Sequence, residues 1–262
     1  MQSPLAIHEW SPSQTDAGAT AAVAILVHGI TGWWRTWWRV GPVLAQRGFR
    51  VVAVDLPGHG DSPPIDRVAT AETLASDLGA ALDALGVPPV DLLLGHSLGA
   101  AVCMELAHRR PGIARRLALE DPPGQTRADD LEFQDGLERE VHAARTDPEA
   151  EVRRALAENP AWVEEDARQD VEGRARCDLE GILASLSANT GVRATKLAAT
   201  LDMPTLYLIA DERRSVLGAE RPRLIRSLPA RSDLVEFASG HVIHRDRFEA
   251  YVASILRWLE AA

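Results

Sequence analysis

The chain has 262 residues and a formal net charge of −10, which fits one large domain or a domain carrying one insertion. An acidic chain without basic clusters excludes nucleic acid and anionic membrane surfaces as expected partners. Short apolar runs then alternate with stretches of helical period. Ile7–Trp10 reads as a first strand and Ala21–Val27 as a stronger one. Thr36–Arg47 has helical period, and Arg47-Gly48-Phe49 leads into the strand Arg50–Val54. Thr70–Leu85 is a helix opened by a Thr cap and closed by Gly86 before Pro88-Pro89. The strand Asp91–Leu94 precedes the helix Ser97–Arg110, which stops at Pro111-Gly112, and Arg116–Leu119 is the next strand. Residues 125–200 contain no good strand. They hold helix patterns at Asp129–Arg145, Pro148–Asn159 (capped by Asp147), Trp162–Arg174 and Asp178–Leu186. Such a stretch is too long for a loop in a compact domain and reads as a helical insertion. Strands Thr205–Ile209 and Leu234–Phe237 and the helix Arg247–Glu260 complete the chain. Most strands are continuous apolar runs, the mark of strands covered on both faces. The alternation predicts an α/β fold with a mostly parallel central sheet flanked by helices. Residues 1–124 and 201–262 form its core, and 125–200 are inserted after the strand ending at Leu119.

Cys103 and Cys177 are the only cysteines, so no disulfide framework is expected. Met1-Gln2-Ser3-Pro4 does not open a secretory signal, and no apolar run approaches the ~20 residues that span a bilayer. The expectation is a soluble, cytoplasmic protein with no membrane partner. Oligomeric state is not legible.

The chemistry centres on Gly95-His96-Ser97-Leu98-Gly99, where a strand stops and a helix starts. A G-x-S-x-G sequence in that context forces a sharp turn with the serine at its strained tip. The two glycines, lacking Cβ atoms, let the helix pack close against the strands. Ser97 is therefore the candidate nucleophile.

Three further motifs stand around it in order: Leu26-Val27-His28-Gly29-Ile30, Asp55-Leu56-Pro57-Gly58-His59-Gly60-Asp61-Ser62 and Gly240-His241-Val242-Ile243-His244-Arg245-Asp246. Together the four resemble the α/β-hydrolase family over nearly the whole chain. The resemblance implies an active site where the strand C-termini meet a helical cap, here residues 125–200. The leading strands read short, so the sheet is expected to lack one member.

A serine hydroxyl needs a base. Of the eight histidines, His241 lies just past a strand, in a loop that can reach the Ser97 edge of the sheet, and the resemblance puts the catalytic histidine there. His28 and His96 flank motif glycines and are structural in the family pattern, and His244 reads as a partner of the His241 loop. The base in turn needs a carboxylate to fix its tautomer. In most of the family that acid follows the strand after the cap, where Asp211 stands out of register. In others, haloalkane dehalogenases and zearalenone-type lactonases among them, it follows an earlier strand, which here leads to Glu120-Asp121. Glu120, the first residue past Leu119, is favoured, Asp211 is second and Asp121 third. The N–H groups of Ile30 and Leu98 are expected to stabilise a tetrahedral oxyanion. Trp33, Trp34, Trp37 and Trp38 crowd six residues beside that loop. They read either as an aromatic pocket wall, with Trp33 in contact with substrate, or as core and cap packing. Trp162 is a further residue expected to face the pocket from the cap.

The leading function is thus a serine hydrolase acting on a small hydrophobic ester or lactone through an acyl-enzyme on Ser97. No cofactor or metal is implied, since no H-E-x-x-H or paired Cys-x-x-Cys set is present. A serine at the elbow argues against the epoxide hydrolase and dehalogenase chemistries that the family runs through an aspartyl ester. A C–C bond hydrolase or lyase on the same triad, or a non-catalytic binding protein on this fold, are the alternatives.

Overall fold

The structure is a computed structural model and describes residues 5–12, 21–124, 131–188 and 194–261. Strands β1 (Ile7–Trp10) and β2 (Ala22–Val27) come first, followed by helix α1 (Val40–Gln46), β3 (Phe49–Val54) and α2 (Ala71–Leu85). Then come β4 (Leu92–His96), α3 (Leu98–Arg109) and β5 (Leu117–Glu120). Four helices follow: α4 (Leu131–Thr146), α5 (Pro148–Glu158), α6 (Glu164–Arg176) and α7 (Leu179–Ala188). The chain continues through α8 (Ala194–Ala198), β6 (Thr205–Ile209), α9 (Arg221–Arg226) and β7 (Ser232–Glu236). It closes with α10 (Ile243–Asp246) and α11 (Phe248–Ala261).

Seven strands pair in the order β1-β3-β2-β4-β5-β6-β7. β1 runs antiparallel to β3, and the other pairs are parallel. Both faces are covered, which is why the strands read as unbroken apolar runs. Ile25 and Val27 of β2 pack with Leu74, Leu78 and Val102 of α2 and α3. Ala24 and Leu26 face Val40, Leu44, Tyr251 and Ile255 of α1 and α11. Each such aliphatic side chain removed from water contributes roughly 1.5–3 kcal/mol.

The expected helix Thr36–Arg47 is two pieces: a 3₁₀ turn over Trp34–Trp37 and then α1. Pro42 explains the break. It has no N–H to bond the Trp38 carbonyl, so it fits only in the first turn of a new helix. The helices α4 to α7 bury small clusters of their own, one around Val152, Trp162 and Val171 and one around Val141, Cys177 and Ile182. Ala194 and Ala198 of α8 instead join the main core beside α3. Cys103 and Cys177 are free and buried. Among the described residues no helix is long and apolar enough to cross a membrane.

Candidate active site

Ser97 sits between the last residue of β4 and the first of α3, with φ +52° and ψ −118°. For a residue with a Cβ that conformation is strained, and tight packing sustains it. A Cβ on Gly99 would collide with the carbonyl oxygens of Val27 and His28, and one on Gly95 with the backbone of Gly99 and Ala100. Both motif glycines are thus steric requirements of helix-on-strand contact. The Ser97 N–H donates to the Glu120 carbonyl at 2.9 Å, which levels the tip of β4 with the tip of β5.

The loop after β2 lies directly against this turn. A Cβ on Gly29 would stand 3.1 Å from the Ser97 Cβ and 2.8 Å from His96 Nδ1. His28 shapes the loop: its Nδ1 donates to the Gly29 carbonyl at 2.7 Å and its Nε2 accepts the Leu56 N–H at 3.1 Å. Burial, helped by the neighbouring His59, lowers the His28 pKa to about 3, so the ring works neutral, as those two bonds require. The next residue, Ile30, lines the same cavity as Ser97. Leu98 heads α3, where an N–H has no partner inside the helix.

His241 follows β7 in a loop held at three points. Asp246 accepts the Gly240 N–H at 2.5 Å, His96 Nε2 donates to the His241 carbonyl at 3.3 Å, and Glu120 accepts the His244 N–H at 2.9 Å. Ser97 and His241 line one cavity of about 180 Å³. The His241 Nδ1 stands 2.7 Å from Asp121 Oδ2. That carboxylate also accepts Ser215 Oγ at 2.6 Å, the Val216 N–H at 3.1 Å and the Ala210 N–H at 3.3 Å. It is fully buried and fully bonded.

Glu120, favoured from the sequence as the acid, does not touch His241. Both its oxygens take His244 Nδ1, at 2.9 and 2.8 Å. Burial alone would raise its pKa, but the His244 and His96 rings and the His244 hydrogen bonds outweigh burial and hold it at about 2. The correction has a one-residue cause. β5 runs on through Glu120, which pairs with His96, so Asp121 is the first residue past the strand, level with Ser97. Side chains alternate along a strand, and a slip of one residue exchanges the tip for a face. Glu120 falls on the face of Ala118 and reaches the side of Trp37 and Tyr251. Asp211 is exposed and accepts the N–H of Arg213 in its own loop at 3.0 Å.

The tryptophans do not form the expected pocket wall, since none is among the described residues lining the cavity. Trp33 is buried and is not among the described residues lining the Ser97 cavity. Its extended backbone turns the indole toward α6, where Nε1 donates to the Gln169 carbonyl at 3.1 Å. Trp38 Nε1 donates to Asp166 at 2.9 Å, also on α6, and Trp37 is buried in the core beside His244. Trp162 sends its Nε1 to Asp246 at 2.7 Å and likewise is not among the residues lining the cavity. The cavity is walled instead by Asp170 and Arg174 of α6 and Arg245 of α10, three residues that no sequence motif singled out for binding. Their spacing was a visible signal: Asp170 and Arg174 stand at i, i+4, and Arg245 follows His241 by one helical turn.

Residues 23–248 match the family model described as alpha/beta hydrolase fold. The chain belongs to this family. As an alpha/beta hydrolase it has relatives with assigned activities. The sn-1-specific diacylglycerol lipase ABHD11 of Mus musculus is 25% identical over 256 residues, which cover 93% of this chain and 83% of that one. An esterase from Thermogutta terrifontis superposes with a TM-score of 0.74 at 25% identity, over 98% of this chain and 93% of that one. The enol-lactonase from Burkholderia xenovorans LB400 superposes with a TM-score of 0.75 at 20% identity, over 98% and 97%, a likeness of fold alone. Among the described residues of this alpha/beta hydrolase, no group of three or more His, Cys, Asp or Glu could hold a metal.

Proposed function

We propose that this alpha/beta hydrolase cleaves carboxylic esters or lactones through an acyl-enzyme on Ser97, with His241 as the base and Asp121 as its acid. The reading is carried by the 2.7 Å contact between His241 Nδ1 and a buried Asp121 carboxylate, beside the cavity that His241 shares with Ser97. A carboxylate accepts and does not donate, so Nδ1 carries the proton and Nε2 is left free to take one. Ser97 Oγ attacks the carbonyl carbon while its proton passes to His241 Nε2. The carbonyl oxygen, now an anion, is met by the N–H groups of Ile30 and Leu98, each worth a few kcal/mol in a dry site. The C–O bond to the leaving alkoxide breaks, and His241 returns its proton to that oxygen. Water then repeats the sequence, giving its proton to His241 and its hydroxide to the acyl carbon, and Ser97 leaves with the proton. Helices α4 to α7 would act as the cap over this centre, and the named lipase and esterase relatives favour an ester bond as the target.

A fluorophosphonate probe followed by mass spectrometry tests the nucleophile. The expected outcome is a single adduct on Ser97, absent from Ser97→Ala, together with loss of ester turnover in that variant. Turnover that survives Ser97→Ala would remove the covalent mechanism.

A further inference from the structure

We infer that the acyl compound cleaved at Ser97 carries a second, free carboxylate, and that Arg174 and Arg245 seat it. The inference rests on the proposed hydrolytic reading of Ser97 and names the substrate class for that site. The whole chain is acidic, yet the cavity beside Ser97 and His241 is walled by two guanidiniums. The Arg245 side chain is 3% exposed and its Nη1 lies 2.7 Å from Asp170 Oδ1, with the Trp162 ring 4.7 Å from its carbon. Arg174 Nη2 stands 2.6 Å from Asp170 Oδ2. Glu140 is 3.6 Å from Arg174 Nε but 43% exposed, so water screens it. Glu140 lines the same cavity, so Asp170 and Glu140 together face the two guanidiniums, Asp170 being the less exposed of the two carboxylates at 18%. Among the described residues, Arg174 Nη1 and Arg245 Nε have no hydrogen-bond acceptor, and Asp170 Oδ2 has an ion-pair contact but no hydrogen-bond donor.

A structural role accounts for only part of this. The pair Arg245–Asp170 already ties α10 to α6. Arg174 lies on α6 with Asp170, four residues away, and its ion pair with Asp170 joins nothing further. Buried donors without acceptors are unfavourable. An anion entering beside Ser97 would supply the missing acceptors. Guanidinium groups hold carboxylates and phosphates alike, by paired hydrogen bonds. Asp170 and Glu140 already oppose the two guanidiniums, so a monoanionic carboxylate is a better complement than a phosphate dianion. The cavity, about 180 Å³, falls below the roughly 300–1,000 Å³ of sites for drug-sized ligands. The substrate is therefore compact: a short ester or lactone with an acid group on its acyl part.

The test compares methyl butyrate with monomethyl succinate, in which a carboxylate replaces the terminal methyl group, by titrating released acid at constant pH. We expect kcat/KM to favour the succinate ester by tenfold or more. Arg174→Gln should collapse that ratio at least tenfold, and Arg174→Lys should restore part of it. Equal rates in the parent protein, or a ratio that Arg174→Gln leaves alone, would overturn the inference while leaving the hydrolase reading intact. A calorimetric titration with glutarate reads the seat without chemistry, and circular dichroism checks that the variant is folded. Glutarate binding that Arg174→Gln abolishes supports the seat even if neither ester is cleaved. Absence of binding up to tens of millimolar, or tighter binding of inorganic phosphate, argues it away. Failure of the hydrolase reading shows separately, as a Ser97 that no fluorophosphonate labels.

Discussion

Two carboxylate–imidazole pairs stand on consecutive residues of one strand end. Asp121 meets His241 at 2.7 Å and Glu120 meets His244 at 2.8 Å. Both carboxylates are fully buried, but the His241 side chain is 25% exposed at the cavity and that of His244 is 2% exposed in the core. The same chemical pair thus serves two ends. In the proposed mechanism, the imidazole that reaches the cavity exchanges protons with a substrate. Where it is enclosed, it fastens a loop: Glu120 takes both the ring and the backbone N–H of His244, three residues from His241. The lesson is that solvent access at the imidazole, not the acid–histidine contact itself, separates a proton carrier from a clamp.

The largest expected effect breaks the first pair. Asp121→Asn should lower kcat by ~10⁴ with little change in KM, because the wrong tautomer of His241 is then favoured. Steady-state kinetics decide it, and a loss under tenfold would hand the acid role to another carboxylate.

Glu120→Gln should act mainly on stability, by about 2 kcal/mol, since a charged hydrogen-bond partner is removed from a buried imidazole. Its kcat should fall less than tenfold. The folded pKa of Glu120, about 2, lies below its unconstrained value of 4.5. Its contribution is therefore complete above pH 4.5 and disappears as pH falls toward 2. Chemical denaturation of both proteins at pH 6 and pH 3 should show the gap between them narrowing with acidity. A gap independent of pH would mean that the Glu120 carboxylate is not the source. The smallest effect is Asp211→Asn, exposed and bonded within its own loop, which should change kcat/KM by less than twofold.

The sheet was legible because strands buried on both faces leave continuous apolar runs, and the elbow because its glycines are required by contact. Which carboxylate meets His241 was not. Apolar patterning marks where a strand is covered, and Glu120 is charged yet still the last paired residue of β5. Reading the strand as ending at Leu119 shifted the tip by one position. Pro42 splits the helical period over Thr36–Arg47 into two pieces and is a visible signal against one continuous helix there. Arg174 and Arg245 come from segments about 70 residues apart and meet only through tertiary packing, so the i, i+4 spacing of Asp170 and Arg174 does not by itself mark a shared wall.

Three indole N–H groups cross the boundary between the inserted helices and the core: Trp33 to Gln169, Trp38 to Asp166 and Trp162 to Asp246. These are three of the seven tryptophans in the chain, so part of its ultraviolet emission reports on that boundary, whereas far-ultraviolet dichroism watches the whole backbone. If the insertion detaches before the sheet melts, heating should redden the emission ahead of any loss of ellipticity.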